Sequence, residues 1–208
     1  MSQAPPILPR AVLFDMDGTV TEPMLDFPAI KAEMGIGNRP ILEALAELEA
    51  TARQAAEAVL LRYEEHAAKN SRLNQGAREL LDWLRGRQIA TALITRNSRL
   101  SVQTVLARHG LSFDVLVTRE DGPFKPDPRP LLLACHKLSV LPHEAWMIGD
   151  GQYDVEAGAA AKIPTLWLSH GRRRPFDAIA WREAVDLPEA LELLKHCDAH
   201  KSVGVMKK

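Results

Sequence analysis

The stretch Phe14-Asp15-Met16-Asp17-Gly18-Thr19 decides the fold, and it continues the apolar run 11–13. A buried strand over residues 11–17 would carry Asp15 and Asp17 on one face at its carboxyl end, because side chains alternate along a strand. Two carboxylates at this spacing repel each other, and a bound cation or a raised pKa relieves the repulsion. The stretch therefore predicts a functional site at the end of the first strand.

Four further apolar stretches have the pattern of buried strands and alternate with helical patterns. We expect these strands at 89–95, 113–118, 145–150 and 164–169, and helices at 76–87, 98–109, 130–138 and 187–194. The termini, 1–10 and 201–208, are expected to be loose. Strands that alternate with helices imply right-handed crossovers. The predicted fold class is therefore α/β, with a doubly wound parallel sheet in a Rossmann-like core.

A long helical insertion separates the first two predicted strands. Asp15 and Thr95 are 80 residues apart, which is about 50 more than one βα unit needs. Pro28 and Pro40 suit helix starts, and Thr51 with Gln54 resembles a capping box. The apolar face of the third helix would be Ala55, Ala56, Val59, Leu60 and Tyr63. We predict a small all-helical cap over residues 23–74, inserted into a core of residues 1–22 and 75–208.

Polar residues follow three other predicted strands, at the sheet edge where α/β proteins bind ligands. Asp150 and Asp154 follow the fourth strand and offer oxygens to a hard cation. Thr95 and Arg96 follow the second strand, where a hydroxyl and free N–H groups at a helix start suit a phosphate. Lys125 lies in a proline-flanked loop after the third strand, and its ammonium could neutralise a phosphoryl oxygen. Together these residues predict a metal-assisted phosphate site.

Composition narrows the class of protein further. The chain has 208 residues, of which 46% are hydrophobic and 25% charged, as in ordinary globular proteins. Its net charge of −1 argues against a nucleic-acid partner, and no apolar run is long enough to cross a membrane. Cys135 and Cys197 cannot form a disulfide framework, so a cytoplasmic location is expected. The identity of any protein partner is unknown from the sequence.

Over about residues 11–169 the chain resembles the phosphatase branch of the haloacid dehalogenase-like (HAD) superfamily. The resemblance implies Asp15 as nucleophile and Asp17 as general acid and base, with Thr95 and Lys125 binding the phosphoryl group. The cofactor would be Mg²⁺, held by Asp15, the backbone carbonyl of Asp17, and Asp150. Asp154 would bind the metal, directly or through water, or would orient Lys125.

The insertion matches the helical C1 cap of the family, most similar to phosphoglycolate phosphatase-like and β-phosphoglucomutase-like members. The resemblance therefore implies a phosphomonoester hydrolase for phosphoglycolate or a sugar phosphate, acting through an aspartyl-phosphate. A phosphomutase is the nearest alternative. A phosphonate hydrolase would use a cap lysine, Lys31 or Lys69. A phospho-aspartate signalling domain and a non-catalytic binding protein are less consistent with the cap and with the complete set of motifs.

Two groups of residues keep both a functional and a surface interpretation. In the cap, several side chains could face the substrate but equally suit the surface or a helix cap: Glu22, Met24, Asp26, Asn38 and Arg39. After the fifth strand, the run Arg172-Arg173-Arg174 could contact an anion, and a solvated loop is the alternative interpretation.

Overall fold

Six parallel strands form one sheet in the order β3-β2-β1-β4-β5-β6. The computed structural model describes the backbone of residues 8–205 and the side chains of residues 8–199. The strands are β1 (Ala11–Phe14), β2 (Ala90–Ile94), β3 (Val115–Val117), β4 (Ala145–Gly149), β5 (Thr165–Leu168) and β6 (Arg182–Ala184). The predicted doubly wound α/β fold is confirmed. The strand β6 was not predicted, because Arg182 and Glu183 do not have the pattern of a buried strand.

Eight α-helices lie in the described part of the chain. They are α1 (Phe27–Met34), α2 (Ile41–Glu47), α3 (Ala50–Asn70), α4 (Ala77–Gly86), α5 (Arg99–His109), α6 (Arg129–Leu138), α7 (Gln152–Ala161) and α8 (Leu187–Val205). Helices α4, α5 and α8 cover one face of the sheet, and α6 and α7 cover the other. Alternate residues of β1 face the two layers, so that Val12 and Phe14 join one cluster and Leu13 joins the other.

Helices α1 to α3 form the cap, a separate layer inserted between β1 and β2. Their shared core includes Ile30, Leu42, Leu45 and Leu60, and burying each such side chain contributes about 1.5–3 kcal/mol. Asp26 caps α1 by accepting from the N–H of Ala29. The predicted all-helical insertion after the first strand is therefore confirmed, and the capping interpretation of Asp26 is confirmed with it.

Several local predictions differ from the structure. Strand β1 ends at Phe14, three residues before the predicted end, and the chain then turns at Gly18, whose φ is +80°. Helix α3 starts after Glu49, so the proposed capping box of Thr51 and Gln54 is wrong, and Ala55 is exposed. Helix α8 continues to Val205, beyond the predicted end. Helix α7 was missed, because a sequence rich in alanine and glycine has no clear apolar periodicity. Predictions for residues 1–7 and 206–208 lie outside the described residues.

Two chain segments connect the cap to the core side by side. Thr21 pairs with Leu73 in an antiparallel bridge, and Glu22 N donates to Arg72 O. The side chain of Asn74 donates to the carbonyls of Thr19 and Thr21. These bonds fix the point where the cap leaves the core. In the described residues, no helix combines the length and the apolar character needed to cross a membrane.

Candidate active site

A cavity of about 570 Å³ lies between the cap and the carboxyl ends of the central strands. Residues of both layers line it. The core side includes every residue that the sequence singled out as catalytic, phosphate-binding or metal-binding: Asp15, Asp17, Thr95, Arg96, Lys125, Asp150 and Asp154. Residues far apart in sequence thus meet at one edge of the sheet, as the parallel topology requires.

Three carboxylates form a compact acidic group in this cavity. One oxygen each of Asp15, Asp150 and Asp154 lies within 4.8 Å of the others. Burial, together with the neighbouring carboxylates, raises the pKa of Asp15 well above its usual value and also raises that of Asp150. Such hard oxygen donors in a partly buried group suit a small divalent cation. Gly18 is required here, because a Cβ at this position would overlap the Asp150 carboxylate.

Lys125 lies at the centre of the acidic group. Its Nζ donates to Asp15 Oδ1 and to Asp154 Oδ1, each at 2.6 Å, and its side chain is 3% exposed. Burial alone would lower the pKa of Lys125, but the two carboxylates outweigh burial and raise it. The lysine is therefore a fixed positive charge. Asp154 in turn accepts from the N–H of Gly151 through its other oxygen, Oδ2, at 3.0 Å.

Asp17 has a different environment from Asp15, although the two are separated by one residue. Burial raises the pKa of Asp17 to about 6, while a hydrogen bond from Asn97 Nδ2 to Asp17 Oδ2 opposes the rise. The nearby carboxylate of Glu64 raises it further. A carboxyl group with a pKa near neutrality can both give and accept a proton. The geometry therefore suits Asp17 to proton transfer.

Thr95 and Arg96 follow β2 but make different contacts. Thr95 is buried, and its Oγ1 accepts from the N–H of Asn97 at 3.2 Å. Both carboxylate oxygens of Glu43, in cap helix α2, accept from Arg96 Nη2, at 3.0 and 2.7 Å. The guanidinium also donates to the carbonyl of Lys125. Arg96 thus connects the cap, its own loop and the lysine loop, in addition to lining the cavity.

Two aromatic rings hold the Arg96 guanidinium between them. Its Cζ lies 4.7 Å from the ring centre of Phe124 and 4.4 Å from that of Tyr153. Phe124 also packs against the apolar core of the cap. The stacking favours one orientation of the planar guanidinium. Arg96 is therefore held by contacts from three separate segments of the chain, α2, the loop of Phe124 and Lys125, and α7.

The sequence interpretation missed Asn97 and Glu64, and it left two interpretations open for Arg172. Asn97 and Glu64 lie beside Asp17, and Arg172 Nη2 donates to Asp150 Oδ2 at 3.1 Å. Arg172 keeps both interpretations, because its side chain is 56% exposed and also lines the cavity. No motif marks Glu64, since it is one glutamate among many on a long helix. Asn97 lies two residues after the motif residue Thr95, and that position was a usable signal.

The cap contributes a different set of residues from those considered in the sequence. None of Glu22, Met24, Asp26, Asn38 and Arg39 is among the described residues that line the cavity. Of the two cap lysines, Lys31 lines the cavity, whereas Lys69 pairs with Glu65 on the surface. The cap side is mainly apolar and includes Leu25, Phe27, Ile41, Leu42 and Leu60.

Comparison with known proteins identifies the family. A family model described as haloacid dehalogenase-like hydrolase matches residues 12–168. The chain belongs to this family. It is therefore a haloacid dehalogenase-like hydrolase, and membership decides against the signalling receiver domain. The match spans β1 to β5 and includes every strand end that carries a site residue.

Named relatives of this hydrolase include phosphatases. An N-acetylmuramic acid 6-phosphate phosphatase of Pseudomonas aeruginosa is 31% identical, over 91% of this chain and 95% of that protein. A phosphoglycolate phosphatase of Nitrosococcus oceani is 28% identical, over 81% of this chain and 88% of that protein. A solved hydrolase from Pseudomonas syringae shares the fold, with a TM-score of 0.76 at 22% identity over 89% of this chain and 98% of that one.

Proposed function

We propose that this haloacid dehalogenase-like hydrolase is a Mg²⁺-dependent phosphatase for small phosphorylated metabolites. The observation that carries the proposal is Lys125 between Asp15 and Asp154, beside an Asp17 whose pKa is about 6. This arrangement offers a nucleophile, a fixed cation and a proton donor in one cavity. The phosphatase names of two relatives support the same reaction class.

In the proposed reaction, Asp15 attacks phosphorus and the ester bond to the leaving oxygen breaks. Asp15 Oδ1 accepts from Lys125 at 2.6 Å, which would hold the carboxylate in place for attack. Asp17 gives its proton to the leaving oxygen. Asp17 then takes a proton from water, which attacks the phosphorus of the aspartyl-phosphate, releases phosphate and restores Asp15. General acid–base catalysis of this kind contributes about 10²- to 10⁴-fold in rate.

The acidic group fits the cofactor that this reaction needs. Asp15, Asp150 and the backbone carbonyl of Asp17 would hold Mg²⁺, and Asp154 would complete the group or hold Lys125 in place. The bound cation would neutralise the carboxylates that otherwise repel an anionic substrate. Thr95 and Lys125 would bind the phosphoryl oxygens. Arg96 is better suited to positioning Lys125, because its guanidinium is already paired with Glu43.

The core and the cap would have different roles in this reaction. We propose that residues 1–22 and 75–208 form the core that cleaves phosphate esters, and that residues 23–74 form the cap that selects them. In support, all the chemical groups named above belong to the core, while the cap adds mainly apolar surface to the cavity.

The test combines metal removal with one substitution. Purified enzyme is assayed for release of inorganic phosphate from a panel of metabolite phosphates and p-nitrophenyl phosphate, with Mg²⁺ and with excess EDTA. We expect release that EDTA abolishes and Mg²⁺ restores. Asp15→Asn should abolish both turnover and the phosphate adduct that mass spectrometry detects in acid-quenched enzyme. Undiminished hydrolysis in EDTA, or by Asp15→Asn, would contradict the proposal, and phosphate transfer to a second hydroxyl without net release would indicate a phosphomutase.

A further inference from the structure

The cap side of the cavity offers few hydrogen-bonding groups. Its lining is mostly apolar and includes Pro23, Leu25, Phe27, Ile41, Leu42 and Leu60, while its polar side chains are Lys31 and Glu64. Glu64 is already engaged, because its oxygens accept from the Arg119 guanidinium at 2.6 and 3.1 Å and from Ser98 N at 3.2 Å. Lys31 is therefore the cap side chain best placed to contact a polar group of the substrate.

This lining disfavours a leaving group that carries many hydroxyls. A hydroxyl that leaves water and finds no partner costs free energy, whereas an apolar surface gains from the same burial. The cavity, at about 570 Å³, also far exceeds the volume of a phosphate and a two-carbon acid. The cap thus suits a ring-sized apolar body better than a sugar or a very small acid.

Lys31 adds a positive charge to this apolar wall. Four cationic side chains line the cavity, and three of them have carboxylate partners: Arg96 with Glu43, Lys125 with Asp15 and Asp154, and Arg172 with Asp150. Lys31 Nζ instead donates to the carbonyl of Asn38 at 3.3 Å, and it has no carboxylate partner within the described chain. Its charge is consequently available to a ligand.

We infer that the substrate is a phosphomonoester whose leaving group has an apolar body and an anionic substituent bound by Lys31. The inference rests on the phosphatase function proposed above. The phosphoryl group would lie at Asp15 and Lys125 in the core, and the apolar body against Leu42 and Leu60. The anionic substituent would replace the Asn38 carbonyl as the partner of the Lys31 ammonium.

Three matched esters test the inference. Glucose 6-phosphate, cyclohexylmethyl phosphate and 4-carboxycyclohexylmethyl phosphate are all primary esters on a six-membered ring, so their leaving oxygens are alike. We expect kcat/KM to rise about tenfold from the first ester to the second and about tenfold again to the third. Lys31→Met, which keeps a side chain of similar length, should abolish the second rise. Lys69→Met is the matched control, because Lys69 lies outside the cavity, and it should change neither step.

The outcomes separate this inference from the proposed function. Hydrolysis of p-nitrophenyl phosphate together with a preference for glucose 6-phosphate over the cyclohexylmethyl ester would overturn the inference alone. A carboxylate gain that survives in Lys31→Met would also overturn it. Absence of hydrolysis for every ester, p-nitrophenyl phosphate included, would overturn the phosphatase proposal, and this inference with it.

Discussion

At the scale of single residues, two carboxylates that look equivalent in sequence have different environments. Asp15 and Asp154 both accept a hydrogen bond from Lys125. Asp17 instead accepts a hydrogen bond from Asn97 and lies near Glu64. Burial is the largest influence on the pKa of both, but only Asp15 is in direct contact with a cation. This difference supports the proposed roles, attack for Asp15 and proton transfer for Asp17.

The first prediction concerns Asp17→Asn. The variant keeps the backbone carbonyl proposed as a metal ligand and loses the transferable proton. We expect the rate of the first step, attack by Asp15, to fall only slightly for p-nitrophenyl phosphate, whose leaving group departs with little protonation. For alkyl phosphates the rate should fall much more. Because water also needs Asp17 as a base, the adduct on Asp15 should accumulate with the aryl ester. Equal losses for both ester types, with no adduct detected by mass spectrometry, would contradict the assigned roles.

The second prediction concerns Lys125→Met. From the sequence alone, removal of this lysine is expected to lower activity strongly and to leave the fold largely intact. The structure changes that expectation, since removing a buried partner leaves Asp15 and Asp154 without their cation. We expect activity to be lost and the free energy of unfolding to fall by up to about 3–5 kcal/mol, less if the carboxylates take up protons. Chemical unfolding in EDTA measures this, so that no metal replaces the ammonium.

The stability loss in Lys125→Met should depend on pH in a defined direction. Burial raises the pKa of Asp15 in the folded state, and Lys125 opposes the rise. Without the lysine, the folded-state pKa lies still further above the unfolded value. The loss of free energy of unfolding in the variant, relative to the unsubstituted protein, is therefore small at low pH. It grows as pH rises from the unfolded-state pKa of Asp15 towards its folded-state pKa. A deficit that is unchanged or larger at pH 4 than at pH 7.5 would contradict this.

At the scale of elements, two ion pairs join the cap to the core. Glu43 of α2 pairs with Arg96, and Glu64 of α3 pairs with Arg119. They differ in burial: the side chain of Glu43 is 37% exposed, whereas that of Glu64 is 2% exposed. Exposed ion pairs contribute about 0–1 kcal/mol, but breaking a buried pair is costly because one charge loses its partner. Glu64 should therefore anchor α3 to the core.

The third prediction compares the two pairs directly. Glu64→Gln should lower the free energy of unfolding by roughly 2–4 kcal/mol, since Arg119 keeps some contact with water, and Glu43→Gln by no more than about 1 kcal/mol. Glu47→Gln is the control, because its pair with Arg39 is well exposed. Urea unfolding of the three variants gives the comparison. Losses of equal size for Glu43 and Glu64 would show that burial does not set the strength of these links.

At the scale of the whole molecule, the core and the cap contribute different surfaces to the cavity. The parallel sheet brings four strand ends together, and the cap covers them with a mainly apolar surface. Most of the cap lining comes from residues 23–42, while Leu60 and Glu64 belong to α3. Under the proposed division, we expect selection of the ester to depend mainly on α1, α2 and the segments beside them.

The fourth prediction concerns a chimera in which residues 23–48 are replaced by the matching segment of a related phosphatase. The glutamate at position 43 is kept in the replaced segment, and α3 is unchanged. The chimera should still hydrolyse p-nitrophenyl phosphate but rank larger esters differently, because the catalytic groups remain and the lining changes. Circular dichroism and thermal melting confirm that the chimera folds. A well-folded chimera with an unchanged ranking would contradict the division of labour.

The sequence by itself determined the fold class, the helical insertion and the core residues of the site. Strand ends in a parallel sheet meet at one edge, so polar residues that follow buried strands could be assigned to one place from their order along the chain. Helix boundaries with caps were also readable: Ser98 and Gly110 bound α5 as their residue types indicate. These features depend on local pattern and topology, which the order of residues carries.

Only the tertiary structure decided which cap residues reach the cavity and which ions pair across the layers. Glu43, Glu64 and Lys31 lie on helices whose surfaces carry many charges, and nothing local distinguishes those that face the core. Arg96 is next to a motif residue, yet its partners come from α2, from the loop of Phe124 and from α7. Such contacts depend on how separately folded layers pack, because side chains distant in sequence become neighbours only when the cap covers the sheet edge.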